Sequence, residues 1–260
     1  MDKSMLSAQA GSLEHLSCII FDYGGTLDTN ARHWAHVLWE GYRHVAATET
    51  FVTPLSRVTE EQFREAYVFG ERALAKAPIV LPEDNFLVVL QKKLEREIFC
   101  LVDSGYWQAD ASDRDKAVRS IADYCYAYAA RTIAESREVL KELKPHYHLV
   151  LVSNFYGNIQ AILKDFDLEF FEAVIESAVV GVRKPDPAIY RLGVEAAGVP
   201  ADQCLVVGDA YDKDMVPAKA VGCHAVWLKG EGWTKEEKDE TLPDFVITRL
   251  NQLLEILPHR

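Results

Sequence analysis

Residues 17–28 read SCIIFDYGGTLD. The apolar run stops at Asp22 and gives way to Gly24-Gly25, the pattern of a buried strand that ends in a turn. Similar runs recur at residues 148–153 (HLVLVS), 204–208 (CLVVG) and 224–228 (HAVWL). Helical periodicity fills the spaces between them, at residues 135–144, 158–166, 187–197 (closed by Gly198) and 250–257. Continuous apolar strands alternating with amphipathic helices predict a doubly wound α/β domain, a Rossmann-like parallel sheet covered on both faces.

Residues 31–131 read differently. Four helix-period stretches, 31–46, 59–77, 83–103 and 112–131, follow one another with Pro54, Pro78 and Pro82 in the gaps, and no strand is evident. The expected organisation is therefore an α/β core of residues 1–30 and 132–260 interrupted by an all-α cap of residues 31–131. The expected hinges lie near Thr29-Asn30 and Ile133-Ala134. The chain shows no internal repeat and no low-complexity segment.

Composition narrows the function classes. Across 260 residues, 40 Asp and Glu outnumber 28 Lys and Arg for a formal charge of −12. Without a clustered basic run the acidic balance argues against a nucleic-acid partner. The five cysteines are scattered and form no CxxC pair, which reads as reduced thiols in a cytoplasm. The opening MDKSMLSAQAGSLEH has no apolar run of signal-peptide length, and no stretch approaches a membrane span of about 18 apolar residues. A soluble cytoplasmic protein with no membrane partner is expected, and its oligomeric state is not legible.

In an open α/β sheet, ligands sit beyond the carboxyl ends of the strands. The polar residues there are Asp22, Ser153-Asn154 and Asp209, joined by Lys184 in the loop GVRKPDP. Two carboxylates, a hydroxyl and a lysine are expected to converge. No G-x-S-x-G elbow surrounds Ser153, so an esterase-like nucleophile is not expected.

These residues fall in the segments FDYGGTLD, LVSN, RKPDP and VGDAYDKD, in that order. The set resembles the four motifs of the haloacid dehalogenase superfamily, in particular its phosphatases with a helical cap. The resemblance covers roughly residues 17–30 and 134–250. Residues 31–131 match the family's cap only in position and helical character.

The resemblance implies a Mg²⁺-dependent hydrolase that transfers the phosphoryl group of a small phosphorylated metabolite to Asp22. A carboxylate nucleophile divides one hard substitution into two easier ones, but its own charge opposes the attack, so a hard cation is needed. The implied metal ligands are Asp22, the backbone carbonyl of Gly24, and Asp209, with Asp214 bound directly or through water. Ser153, Asn154 and Lys184 would hold the phosphoryl group, helped by the backbone at Gly25 and by Thr26, which could orient Asp22. Asp22, Ser153 and Lys184 are thus the expected catalytic residues.

One position departs from the family pattern. The phosphatases usually carry a second Asp two residues after the nucleophile as general acid and base, and here that position is Gly24. General acid/base catalysis contributes about 10² to 10⁴-fold, so the loss matters. Three accounts stay open: Tyr23, Asp28 or His33 takes the role; the substrate has a good leaving group; or phosphate is bound without efficient turnover, as in a regulatory protein. Dehalogenation is less expected, because GDAYDKD keeps both acidic positions of the metal motif. Phosphonate cleavage would need an imine-forming cap lysine, and the sequence singles out none of Lys76, Lys92, Lys93 and Lys116.

Other features read as ordinary packing or surface. His33 and His36 lack a third ligand. The aromatics Trp34, Trp39, Tyr42, Tyr67, Phe69, Tyr124, Tyr126 and Tyr128 suit helix packing. Asp212, Lys229, Trp233 and the charged run 235–240 read as solvent-facing.

Overall fold

The computed structural model describes residues 13, 15–76, 79–234 and 236–258. Most of the opening segment, as well as Ala77, Pro78 and Lys235, therefore lies outside the described residues. Two compact units are present: Met1–Arg32 with Arg131–Phe155 and Phe166–Arg260, and His33–Ala130 with Tyr156–Asp165. In chain order the strands and α-helices are β1 (Cys18–Phe21), α1 (Trp34–Thr48), α2 (Glu60–Lys76), α3 (Phe86–Asp103), α4 (Ala111–Leu143), β2 (His148–Ser153), α5 (Ile159–Asp165), β3 (Ala173–Glu176), α6 (Ser177–Val180), α7 (Ala188–Ala197), β4 (Cys204–Gly208), α8 (Val216–Ala220), β5 (His224–Leu228), β6 (Phe245–Ile247) and α9 (Leu253–Ile256).

The first unit is built on a six-stranded sheet in the order β3-β2-β1-β4-β5-β6, and every pairing is parallel. The α/β, Rossmann-like class expected from the sequence is what the chain adopts. All four residues of β1 are buried, as are all five of β4, which explains their unbroken apolar reading. Phe21 is in register with Leu151 on one side and Val207 on the other. Asp22, Asn154 and Asp209 consequently follow neighbouring strands at the same end of the sheet.

Two strands escaped the sequence reading. β3 has four residues and β6 three, both at sheet edges, so neither makes a run long enough to stand out. A second correction concerns α4, a single helix of 33 residues that absorbs the separate helices expected at 112–131 and 135–144. No Gly or Pro interrupts it, and Ile133 is buried mid-helix, so the hinge expected near Ile133-Ala134 is unbroken helix. The helix expected at 250–257 is a 3₁₀ turn, Leu250–Gln252, followed by the short α9.

The second unit contains α1, α2, α3, α5 and the N-terminal part of α4. Its helices begin where side chains satisfy the free N–H groups of the first turn. The His33 Nδ1 accepts from the Ala35 N–H at 3.2 Å, and the Asn85 Oδ1 accepts from the Val88 N–H at 3.1 Å. A reciprocal box caps α2: Gln62 Oε1 accepts from the Thr59 N–H at 3.0 Å, and Thr59 Oγ1 accepts from the Gln62 N–H at 3.3 Å. These caps shift the starts of α1, α2 and α3 one to three residues past the periodicity estimates. Among the described residues no helix is long and apolar enough to cross a membrane.

Candidate active site

The turn after β1 is tied tightly. Leu27 N–H donates to the Tyr23 carbonyl at 2.8 Å, Gly25 N–H donates to Asp28 Oδ1 at 2.7 Å, and Thr29 Oγ1 donates to the Gly25 carbonyl at 3.1 Å. Gly25 has a φ of +95°, and a Cβ there would fall on the Asp209 carboxylate. Only glycine meets both demands. Gly208 is required for a different reason, since a Cβ there would lie 2.5 Å from the side chain of Asp214.

Asp214 reaches that place because residues 211–215 form a π-helical turn, a local widening common at functional sites. Its Oδ2 accepts from the Ala210 N–H at 2.9 Å, and its Oδ1 accepts from Lys184 Nζ at 2.7 Å and from the Tyr190 hydroxyl at 2.8 Å. Lys184 Nζ also donates to Asp22 Oδ1 at 2.5 Å. The lysine loop is itself fixed by Asn154, whose Oδ1 accepts from the Lys184 N–H at 2.9 Å and whose Nδ2 donates to the Lys184 carbonyl at 3.0 Å. Ser153 is buried at the end of β2.

Thr26 stands between two acids. Its Oγ1 lies 3.3 Å from both Asp22 Oδ2 and Asp209 Oδ1 and accepts from the Asp209 N–H at 3.1 Å. Its single proton can serve one carboxylate at a time. The three acids Asp22, Asp209 and Asp214 each present an oxygen within 4.8 Å of the other two.

Charge is unbalanced in this cluster, with three carboxylates facing one ammonium. Burial pushes the Asp22 carboxyl up to about 6, with Lys184 pulling it down and Asp214 adding to the rise. Burial, then the charges of Asp22 and Asp214, hold Asp209 well above the ordinary aspartate range. For Lys184 burial opposes the ammonium form, but Asp214 and Asp22 outweigh it and keep the group charged. Crowded, dehydrated hard oxygens with excess negative charge suit a hard divalent cation. The donor set therefore fits Mg²⁺.

All of the expected site residues lie in the α/β unit: Asp22, Gly24, Gly25, Thr26, Ser153, Asn154, Asp209 and Asp214 at the ends of β1, β2 and β4 or in the segments that follow, and Lys184 in the loop between α6 and α7. Asp28 has one oxygen committed to Gly25 and is buried. Tyr23 is buried with its ring against Phe155 at 5.8 Å. Asp212 is exposed and pairs with Lys238 at 2.8 Å, as its solvent-facing reading requires. Two residues escaped the sequence reading: Tyr190, on the helix after RKPDP, and Trp227, whose indole Nε1–H donates to the Asp209 carbonyl at 2.9 Å. Both are apolar-patterned positions whose polar atoms acquire a role only through side-chain direction.

A family model described as haloacid dehalogenase-like hydrolase matches residues 16–222. The chain belongs to this family. Among curated relatives, glyceraldehyde 3-phosphate phosphatase of Pyrococcus furiosus is 33% identical over 131 residues, which is 49% of this chain and 55% of the relative. Haloacid dehalogenase-like hydrolase domain-containing protein 3 of Danio rerio is 33% identical over 110 residues, 42% of this chain and 45% of the relative. The match thus spans about half the length of these curated relatives. The HAD-hydrolase YfnB of Bacillus subtilis, whose structure is described as bound to magnesium, superposes with a TM-score of 0.57 at 19% identity, covering 94% of this chain and 99% of that one. At that identity the likeness shows the fold alone.

Proposed function

We propose that this chain is a Mg²⁺-dependent phosphohydrolase that removes phosphate from a small phosphorylated metabolite through an aspartyl-phosphate at Asp22. The observation that carries the reading is the buried cluster of Asp22, Asp209 and Asp214 within 4.8 Å, neutralised only in part by Lys184. The name of the Pyrococcus relative supports a small phosphorylated substrate. We assign residues 1–30 and 132–260 as the catalytic core and residues 31–131 as the cap, although Tyr156–Asp165 packs as part of the helical unit.

Asp22, Asp209 and Asp214, with the Gly24 carbonyl, would hold the cation. When bound, it supplies Lewis-acid polarisation of phosphoryl oxygens. Lys184 contributes a permanent positive charge at Asp22, so the phosphoryl group enters a site whose repulsion is already reduced. The Ser153 hydroxyl and the main-chain N–H of Asn154 hold the phosphoryl oxygens, while the Asn154 side chain fixes the Lys184 loop. An Asp22 carboxylate oxygen forms the bond to phosphorus as the ester oxygen leaves with its electron pair and takes a proton from solvent water. Water then attacks the acyl phosphate, releasing phosphate and regenerating the carboxylate.

Gly24 supports one further reading. With no carboxylate at that position, proton transfer to the leaving oxygen and from water has no side chain there, which favours slow turnover or phosphate binding alone. A screen of phosphomonoesters with and without Mg²⁺ separates the two. Metal-dependent release of inorganic phosphate is the expected result; release that is independent of metal, or phosphate binding with no release from any ester, contradicts the hydrolase.

A further inference from the structure

Asp209 is gripped through its main chain from both sides. Its N–H donates to Thr26 Oγ1 at 3.1 Å, and its carbonyl accepts from the Trp227 indole N–H at 2.9 Å. The register pairs Trp227 of β5 with Gly208, the residue just before Asp209, which brings the indole to that carbonyl. Trp227 is 7% exposed, and its ring packs edge-on against Tyr211 at 5.3 Å. Tyr211 opens the π-helical turn that returns Asp214 to the cluster. Trp227 therefore touches both the residue that begins the Asp209–Asp214 segment and the turn that closes it.

We propose that Trp227 is a positioning residue that presets the acidic segment 209–214 for a divalent cation, and that its indole N–H responds to occupation of the site. This rests on the Mg²⁺-dependent reading above. Three acidic side chains crowded together repel one another, so an untethered segment spreads in the absence of the cation and must be reassembled when it binds. Fixing the Asp209 carbonyl with a buried hydrogen bond removes part of that reorganisation. The indole proton reports on it because a cation drawing on the Asp209 carboxylate shifts the main chain to which it is bonded.

The test compares the full-length wild-type chain with Trp227→Phe, which keeps a ring and removes the donor. Mg²⁺ affinity is read by calorimetry, and Mn²⁺ binding by electron paramagnetic resonance, both without substrate. Loss of one neutral hydrogen bond of ordinary strength corresponds to roughly 3–10-fold weaker cation binding. The phosphomonoester KM at saturating Mg²⁺ is expected to stay unchanged, whereas general damage to the fold would raise both. In the wild type, an ¹⁵N spectrum with triple-resonance assignment follows the indole protons of all five tryptophans during a Mg²⁺ titration. The Trp227 peak is expected to shift, which keeps the proposal testable even if the variant does not fold.

Equal cation affinity in the folded variant, or a Trp227 indole peak unmoved by saturating Mg²⁺, overturns the role of Trp227 and leaves the hydrolase reading standing. Failure of the wild type to bind Mg²⁺ or Mn²⁺ overturns both.

Discussion

Gly24 is the residue at which this chain parts from the phosphatase pattern it otherwise follows. A Cβ built there meets nothing within 4 Å and its φ is not in the left-handed region, whereas Gly25 has a left-handed φ and a Cβ at either Gly25 or Gly208 would strike an acidic side chain. The absence of a carboxylate is thus not forced by local packing. Gly24→Asp is expected to fold and to raise steady turnover of accepted phosphomonoesters by up to about 10²-fold, the lower end of general acid/base effects. Stopped-flow release of a good leaving group checks the same account in the wild type. A burst followed by slow turnover is expected, because water attacks the acyl phosphate without a base at position 24. No gain in the folded, Mg²⁺-binding variant would contradict a simple loss of the acid/base group. Asp28 does not substitute freely, since one of its oxygens holds the Gly25 N–H.

At the scale of elements, the helical unit contains a buried polar network that its apolar periodicity hides. Lys93 of α3 pairs with Glu71 of α2 and lies 4.1 Å from the centre of the Tyr67 ring. One turn on, Glu97 is fully buried and its Oε2 accepts from the Tyr42 hydroxyl at 3.1 Å. Its Oε1 has no hydrogen-bond partner among the described residues. Burial opposes the charge on Lys93, but Glu71, Tyr67 and Glu97 hold the ammonium well above the usual lysine range. That makes Lys93 a poor imine-forming nucleophile and weakens the phosphonate-cleaving alternative.

Burial pushes the Glu97 carboxyl from 4.5 up to about 7, with Lys93 offsetting part of the rise. The folded state therefore binds a proton that the unfolded state has released between about pH 4.5 and 7. The stabilisation is fully present below pH 4.5 and is lost as pH rises through 7; by linkage it amounts to about 3 kcal/mol. Thermal melts of wild type and Glu97→Gln from pH 5 to 8 should lie closest at pH 5 and separate toward pH 8, with wild type losing stability and the variant showing the flatter dependence. Parallel pH profiles would remove Glu97 as the cause. This network was not legible in advance, because Glu and Lys at helical spacing read equally well as a solvated face.

Across the whole molecule, the legible part of the fold was the part with strong periodicity. Strands β1, β2, β4 and β5 were evident because each is a continuous apolar run that ends in a polar residue or glycine. The edge strands β3 and β6 were too short to stand out, and α4 was read as two helices although residues 131–135 contain no breaker. The residues of the candidate site were named from the sequence because they end apolar runs or fall in the family-like segments, and the strand order, with β1 between β2 and β4, puts Asp22, Asn154 and Asp209 at one sheet end. Tyr190 and Trp227 were not, since a hydroxyl on Asp214 and an indole on the Asp209 carbonyl depend on side-chain directions that spacing does not encode.

The central claim is that Asp22 becomes phosphorylated, and intact-protein mass spectrometry after mixing with Mg²⁺ and a phosphomonoester of good leaving group tests it most directly. Wild type is expected to gain one phosphoryl group that localises to Asp22. Asp22→Asn is expected to gain none and to lose turnover, because an amide is a poor nucleophile and a weaker metal ligand. Normal turnover in folded Asp22→Asn, or a phosphoryl group mapped to another residue, would contradict the account.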